Sequence, residues 1–314
     1  MSKNLRRQFY PRKLLIFVAR SLFFAYISTC LFLFFRQRHL ILRPSSHISM
    51  QPNSEPFNLP YEDVKIPVSN SNEYLNGWWI PAPSPQEKLA LTNEPARIIK
   101  SPKVILYFYG AGGNKSYFNI LARLKGLRQL GFSILVADYR GFGSSKGNFP
   151  SESQLYQDSQ AALDYLLQVR RIPPQQIAIY GESLGGAIAL NLAVNHPEVS
   201  GLIVQSSFTS MTETVKRTSW YGIFPIDLIL TQRFDSIARV RSLQIPVLFI
   251  HGTADTVVPS DMSQKLYNAA PEPKQLLLVP GAGHFRIYQS GKNSYLQAIQ
   301  RFIQQVESKQ NRVG

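Results

Sequence analysis

The chain has 314 residues, 44% of them hydrophobic and 17% charged, enough apolar content for a sizeable packed core and too much for global disorder. The formal net charge of +15 is unevenly spread: nine Lys or Arg and no acid fall within residues 1–43, leaving +6 on the remaining 271. That excess flanks an apolar run, so anionic lipid headgroups are expected as partner and nucleic acid is not; the single cysteine, Cys30, excludes an internal disulfide framework.

Residues 1–13 form a basic N-terminus. Residues 14–35 are apolar apart from Arg20, Ser21, Ser28 and Thr29. As a helix this run spans about 33 Å, close to a bilayer core of about 30 Å. An arginine in mid-span costs at least ~2.5 kcal/mol, but Arg20 lies only seven residues past Lys13 and can snorkel back to the headgroups. No small-x-small site followed by a polar start marks a cleavage point, which favours an uncleaved single-pass transmembrane anchor over a signal peptide. The apolar residues 31–35 continue past Cys30, as expected for a membrane-buried thiol and not for a lipid-attachment box. Five basic residues precede the run and three follow within eight positions, which favours the N-terminus inside and the folded part outside the cytoplasm.

Residues 36–60, rich in Ser, Pro and Asn from Pro44 onward, read as a linker. The folded domain is expected over residues 61–306, with 307–314 as a C-terminal tail. Residues 61–68 and 74–80 have the pattern of antiparallel edge strands, and 88–102 that of a surface loop. Short apolar runs at 104–108, 132–137, 177–180, 199–205, 247–250 and 276–279 have the character of buried strands. Between them lie helical segments. One covers 116–130 and stops at Gly131. A second opens at Ser151 with Gln154 completing a capping box. A last one covers 290–306, with Tyr295, Ile299, Phe302, Ile303 and Val306 at helical spacing. The alternation predicts an α/β sheet with helices on both faces. Residues 208–243 exceed an ordinary connection between core strands and contain Met211, Trp220, Tyr221, Phe224 and Leu230. They are expected to form a short helical lid over the active site, whose apolar content suits an acyl chain; the alternative is that these side chains simply close the core.

Gly181-Glu182-Ser183-Leu184-Gly185 fits the G-x-S-x-G turn, in which a strand ends, turns sharply and starts a helix with the serine exposed at the sheet edge. The β-type run before it and the small-residue run Gly186-Ala187-Ile188-Ala189 after it supply that context. A serine hydroxyl needs a base, and the base needs an orienting carboxylate, in the chain order Ser, Asp or Glu, His. Two histidines follow Ser183. His284 lies in the glycine loop Pro280-Gly281-Ala282-Gly283, where an imidazole can reach over the sheet edge; His251 ends a strand and is expected to support the acid loop. Asp255 follows the strand at 247–250, whereas the other usual acid position, after 199–205, holds Ser206-Ser207-Phe208-Thr209 and no carboxylate. Asp138 ends an earlier strand and is expected to brace a loop. For the oxyanion, one N–H is expected from Leu184 and one from Ala111 in the small-residue loop Tyr109-Gly110-Ala111-Gly112-Gly113.

These residues, together with Leu75-Asn76-Gly77-Trp78-Trp79-Ile80-Pro81 and the segment 138–145, resemble the α/β-hydrolase superfamily. They are most similar to its membrane-anchored serine hydrolases, a group of depalmitoylases, lysophospholipid lipases and peptidase-like relatives. The resemblance covers residues 40–306 and implies a mostly parallel eight-stranded sheet with nucleophile, acid and base at Ser183, Asp255 and His284. It implies a small acyl ester, thioester or peptide substrate and no metal or organic cofactor, and says nothing of oligomeric state. One departure is Tyr109, where relatives generally carry His. Its hydroxyl either donates to the oxyanion or packs as an aromatic, and it is the one feature favouring a non-catalytic membrane-tethered binding protein.

Overall fold

The computed structural model describes residues 9–68, 72–87, 104–217 and 219–313. The loop expected over 88–102 and the first eight residues of the basic N-terminus lie outside the described residues.

The apolar N-terminal run forms a single helix, α1 (Phe9–Ile41), longer at both ends than the expected 14–35. Its 33 residues extend about 50 Å. The segment expected to be a linker is part helix and part docked chain. Residues 36–41 complete α1, and Arg43–Pro44 form a short strand, β1. Leu42, Phe57 and Leu59 are each only 3% exposed. Three scattered apolar residues are enough to tie a Ser- and Pro-rich stretch to the domain, because burying one such side chain contributes about 1.5–3 kcal/mol.

Strands β2 (Glu62–Pro67) and β3 (Tyr74–Ile80) pair antiparallel at one edge of the main sheet. Next comes β4 (Val104–Phe108), then the two-residue strand β5 (Gly112–Gly113), which pairs parallel with β1 in a separate small sheet. Helix α2 (Phe118–Gln129) leads to β6 (Ser133–Ala137). Helix α3 (Glu152–Asp164) opens on the expected capping box: the Ser151 side chain accepts from the Gln154 N–H and the Gln154 side chain accepts from the Ser151 N–H. β7 (Ile177–Glu182) runs directly into α4 (Leu184–Asn195), and β8 (Gly201–Gln205) follows.

The insertion is helical, as expected. It comprises α5 (Met211–Arg217), a 3-10 turn at Ser219–Ile223, α6 (Ile226–Ile229) and α7 (Ser236–Val240). The chain closes with β9 (Val247–Gly252), α8 (Asp261–Ala269), β10 (Lys274–Val279), α9 (Ile287–Ser290) and α10 (Lys292–Val313). Helix α10 takes in most of the residues expected to form a separate tail.

The main sheet has eight strands in the order β10-β9-β8-β7-β4-β6-β3-β2, parallel from β10 to β6. Every residue of β4, β7, β8 and β9 is buried, so both faces of the central strands are covered, which is why these segments read as unbroken apolar runs.

Candidate active site

Ser183 stands between the end of β7 and the first turn of α4, with φ 54° and ψ −120°. An L-residue in that region is strained and persists only where its surroundings impose it. Two glycines make the turn possible. A Cβ on Gly181 would come within 2.2 Å of the Gly185 carbonyl oxygen, and one on Gly185 within 2.2 Å of the Phe108 carbonyl oxygen. The Ser183 N–H donates to the Gln205 carbonyl at 2.8 Å, tying the turn to β8.

His284 rides on the loop after β10, which turns at Gly281 (φ 67°). Its Nε2 lies 3.2 Å from Ser183 Oγ and its Nδ1 2.7 Å from Asp255 Oδ2. A carboxylate only accepts, so Nδ1 carries the proton and Nε2 is left as acceptor for the serine hydroxyl. Asp255 Oδ1 accepts the Val257 and Val258 N–H groups at 2.9 and 2.8 Å. His251 supports the loop that carries Asp255: its Nε2 lies 3.1 Å from Asp255 Oδ2 and 2.9 Å from the Val258 carbonyl oxygen. Both are acceptors, so Nε2 holds the proton and Nδ1 accepts the Ser263 hydroxyl, 2.6 Å away. Burial pushes the Asp255 carboxyl up, but hydrogen bonds from His251, His284 and the Val258 N–H outweigh it and hold the group well below the usual carboxylate range.

The loop carrying Ala111 is fastened to the chain leaving the apolar helix. The Arg43 N–H donates to the Ala111 carbonyl at 2.9 Å, and the Ser45 N–H to the Gly113 carbonyl at 3.1 Å. Gly110 passes close under the serine; a Cβ there would sit 3.3 Å from the Ser183 Cβ. Leu184 opens α4, so its N–H belongs to the first helical turn, where donors lack intrahelical partners.

Tyr109 is fully buried, and its hydroxyl donates to Asp138 Oδ1 at 3.0 Å. Its ring lies against Tyr139 and Phe142, 4.9 and 6.3 Å between centroids, so of the two roles expected for it packing is the one observed, with the hydroxyl held by Asp138. Asp138 also accepts the Lys115 N–H at 2.8 Å and pairs with the Lys115 ammonium at 2.5 Å, so it braces the chain just past the loop that carries Ala111.

Sequence reasoning missed a second buried pair. Arg123, on α2 and 1% exposed, forms an ion pair with Glu182, the residue before the serine. The Tyr107 hydroxyl donates to Glu182 Oε2 at 2.8 Å and accepts from Arg123 Nε at 2.9 Å. The one available signal was an arginine set among Ile120, Leu121, Leu124 and Leu127 on the apolar stripe of α2.

Above Ser183 lies a cavity of about 610 Å³, within the ~300–1,000 Å³ usual for ligand sites. Its walls include Ala111, Ser183, Val257, His284 and Phe285, and also Leu40, Ile41 and Arg43 from the end of α1 and the residues after it. No described residue of the insertion lines it. The insertion expected as a lid therefore lies off this cavity, whose wall includes Leu40 and Ile41 from the last turn of α1.

The eight-stranded sheet and the strand–turn–helix at its centre make this chain an α/β-hydrolase. Residues 118–310 match the prolyl oligopeptidase family of peptidases, and the chain belongs to that family. A similar relative is the uncharacterized protein Rv2307c of Mycobacterium tuberculosis, 34% identical over 87% of this chain and 89% of the relative. Protein bem46 of Schizosaccharomyces pombe is 29% identical over 71% of this chain and 70% of its own. Among solved structures, the Pyrococcus furiosus esterase Pf2001 superposes with a TM-score of 0.65 at 18% identity, covering 84% of this chain and 98% of the esterase.

Proposed function

We propose that the chain is a membrane-anchored serine hydrolase that cleaves a carboxylic ester, thioester or related acyl bond. The observation that carries this reading is the run of hydrogen bonds from Asp255 through His284 to Ser183, ending on a serine held at positive φ between β7 and α4. In the mechanism, Ser183 Oγ attacks the acyl carbonyl carbon while His284 Nε2 takes its proton. The N–H groups of Ala111 and Leu184 hold the resulting oxyanion. Collapse of the tetrahedral species expels the alcohol or thiol, which receives the proton from His284, and leaves an acyl group on Ser183. Water then attacks, with His284 again taking the proton, and a second collapse frees the acid and restores the serine. Asp255 orients the imidazole and stabilises the imidazolium without accepting its proton. Helix α1, long and apolar enough to cross a bilayer, is the anchor, with the catalytic domain outside the cytoplasm.

Labelling with a fluorophosphonate tests this. Wild type is expected to label and Ser183→Ala not to, with turnover of p-nitrophenyl esters falling about 10⁴-fold or more. Folded wild-type protein that resists the probe would overturn the reading. The family match favours a second one, a serine peptidase acting on short peptides through the same residues. A panel of p-nitrophenyl esters, acyl thioesters and aminoacyl amides separates the two: a peptidase turns over the amides at rates comparable with the esters, an esterase does not.

A further inference from the structure

Helix α1 and the insertion enclose a second cavity, of about 280 Å³, that the proposed chemistry does not use. Its walls are mostly apolar, with Leu33 from α1 and Met211, Val215, Ile226 and Ile229 from the insertion, and carry the polar side chains of Gln37 and Arg43 at the α1 end. It shares Leu40, Ile41 and Arg43 with the cavity above Ser183, so the two meet at the last turn of α1.

The height of the insertion along α1 matters most. The Tyr26 hydroxyl donates to the Ile223 carbonyl at 3.1 Å, and the Tyr26 ring stacks on Phe224 at 5.4 Å between centroids. Further along, Gln37 donates to the Ile229 carbonyl at 3.2 Å and accepts the Thr231 N–H at 2.8 Å. The insertion therefore lies alongside the helix from residue 26 to residue 37. Tyr26 precedes Phe35, the end of the apolar run, by nine residues, about 14 Å of helix. A bilayer that takes up this run also surrounds the near edge of the insertion. That edge carries Trp220, Ile223 and Leu228, which are 55%, 66% and 82% exposed. Exposed apolar groups at this height, about 14 Å inside the end of the run, suit the acyl-chain region beneath the headgroup boundary. The neighbouring Lys216 and Asp227 pair with each other at 2.6 Å, which lowers the cost of bringing them near it.

We propose that residues 219–229 form a second, monotopic contact with the bilayer beside α1, and that the cavity between them is a lateral entrance through which an acyl chain passes from the membrane to Ser183. The entrance rests on the hydrolase reading; the membrane contact does not. The shared chemistry is a long acyl chain, carried by a glycerolipid or by an S-acylated peptide.

Full-length protein in dioleoylphosphatidylcholine vesicles provides the test. Trp78 and Trp79 are buried and Trp220 is exposed, so lipid carrying brominated acyl chains is expected to quench tryptophan emission in wild type, and much less in Trp220→Phe. Equal quenching in the two proteins, or none, would overturn the membrane contact, whatever the catalytic outcome. The double variant Ile223→Glu, Leu228→Glu changes exposed side chains that line neither cavity. It is expected to keep wild-type fluorophosphonate labelling and p-nitrophenyl butyrate turnover, and to lose about tenfold in kcat/KM on a vesicle-embedded long-chain substrate. A lysophospholipid and an S-palmitoyl peptide, run separately, identify the carrier. Unchanged long-chain turnover, or a parallel loss on butyrate, would overturn the entrance alone. A wild type inert to probe and esters would remove the hydrolase reading and the entrance with it, while the quenching result still decides the contact.

Discussion

Two opposing effects meet on the carboxyl of Asp255. Burial raises its proton affinity, while the donors at His251, His284 and Val258 lower it further than burial raises it. The folded state therefore binds this proton less tightly than the unfolded chain does. Linkage then requires a stabilisation that is fully present above the ordinary aspartate value of about 4 and is lost as pH falls through the lower folded value. Asp255→Asn is accordingly expected to be less stable than wild type at neutral pH, with the gap narrowing below about pH 4 in denaturant titrations. The same substitution leaves His284 Nδ1 facing an amide that can impose the wrong tautomer, and kcat is expected to fall by about 10⁴-fold. Ser183, Asp255 and His284, which the fold brings within hydrogen-bond reach of one another, could be grouped from the sequence because a local turn motif and a fixed chain order point to them. Arg123 and Glu182 could not be paired that way: one lies on a helix stripe, the other in the turn, and no local pattern links them.

Among the elements, the segment between α1 and β2 departs most from its expected form. Its composition reads as a linker, yet it buries Leu42, Phe57 and Leu59 and hydrogen-bonds the loop that carries Ala111. Two truncations separate these descriptions. A chain starting at Arg36 keeps the docked segment and is expected to melt cooperatively and label with fluorophosphonate. One starting at Tyr61 loses burial contributing about 1.5–3 kcal/mol per side chain. It also loses the strand that holds Gly112 and Gly113, so a lower melting temperature and slower labelling are expected. Equal behaviour of the two would mean a passive tether. The capping box at Ser151 and the main-sheet strands β4 and β6 to β10, by contrast, form close to where periodicity and cap chemistry placed them, because each is specified by neighbours a few residues away.

For the molecule as a whole, the question is how the apolar helix and the hydrolase domain relate. Helix α1 supplies Leu40 and Ile41 to the wall of the Ser183 cavity and packs against the insertion, so the apolar helix and the α/β-hydrolase domain share a boundary at the site. The full chain is expected to stay in the membrane pellet through alkaline carbonate extraction, and a chain starting at Arg36 to be released by it. Release of a shortened wild-type chain into the soluble fraction would identify the helix as a cleaved signal sequence.

The sequence by itself determined the series of strands and helices, the turn at Ser183 and the order of the residues proposed to act with it, because each of these is written in a local period or a short motif. Only the tertiary structure decided that Tyr109 turns to Asp138, that Arg123 pairs with Glu182, that residues 42–59 dock on the domain and that the insertion lies along α1. The physical reason is range. Tyr26 with Ile223, Gln37 with Ile229 and Arg43 with Ala111 meet across long separations in the chain, and such contacts leave no periodicity in the residues that make them.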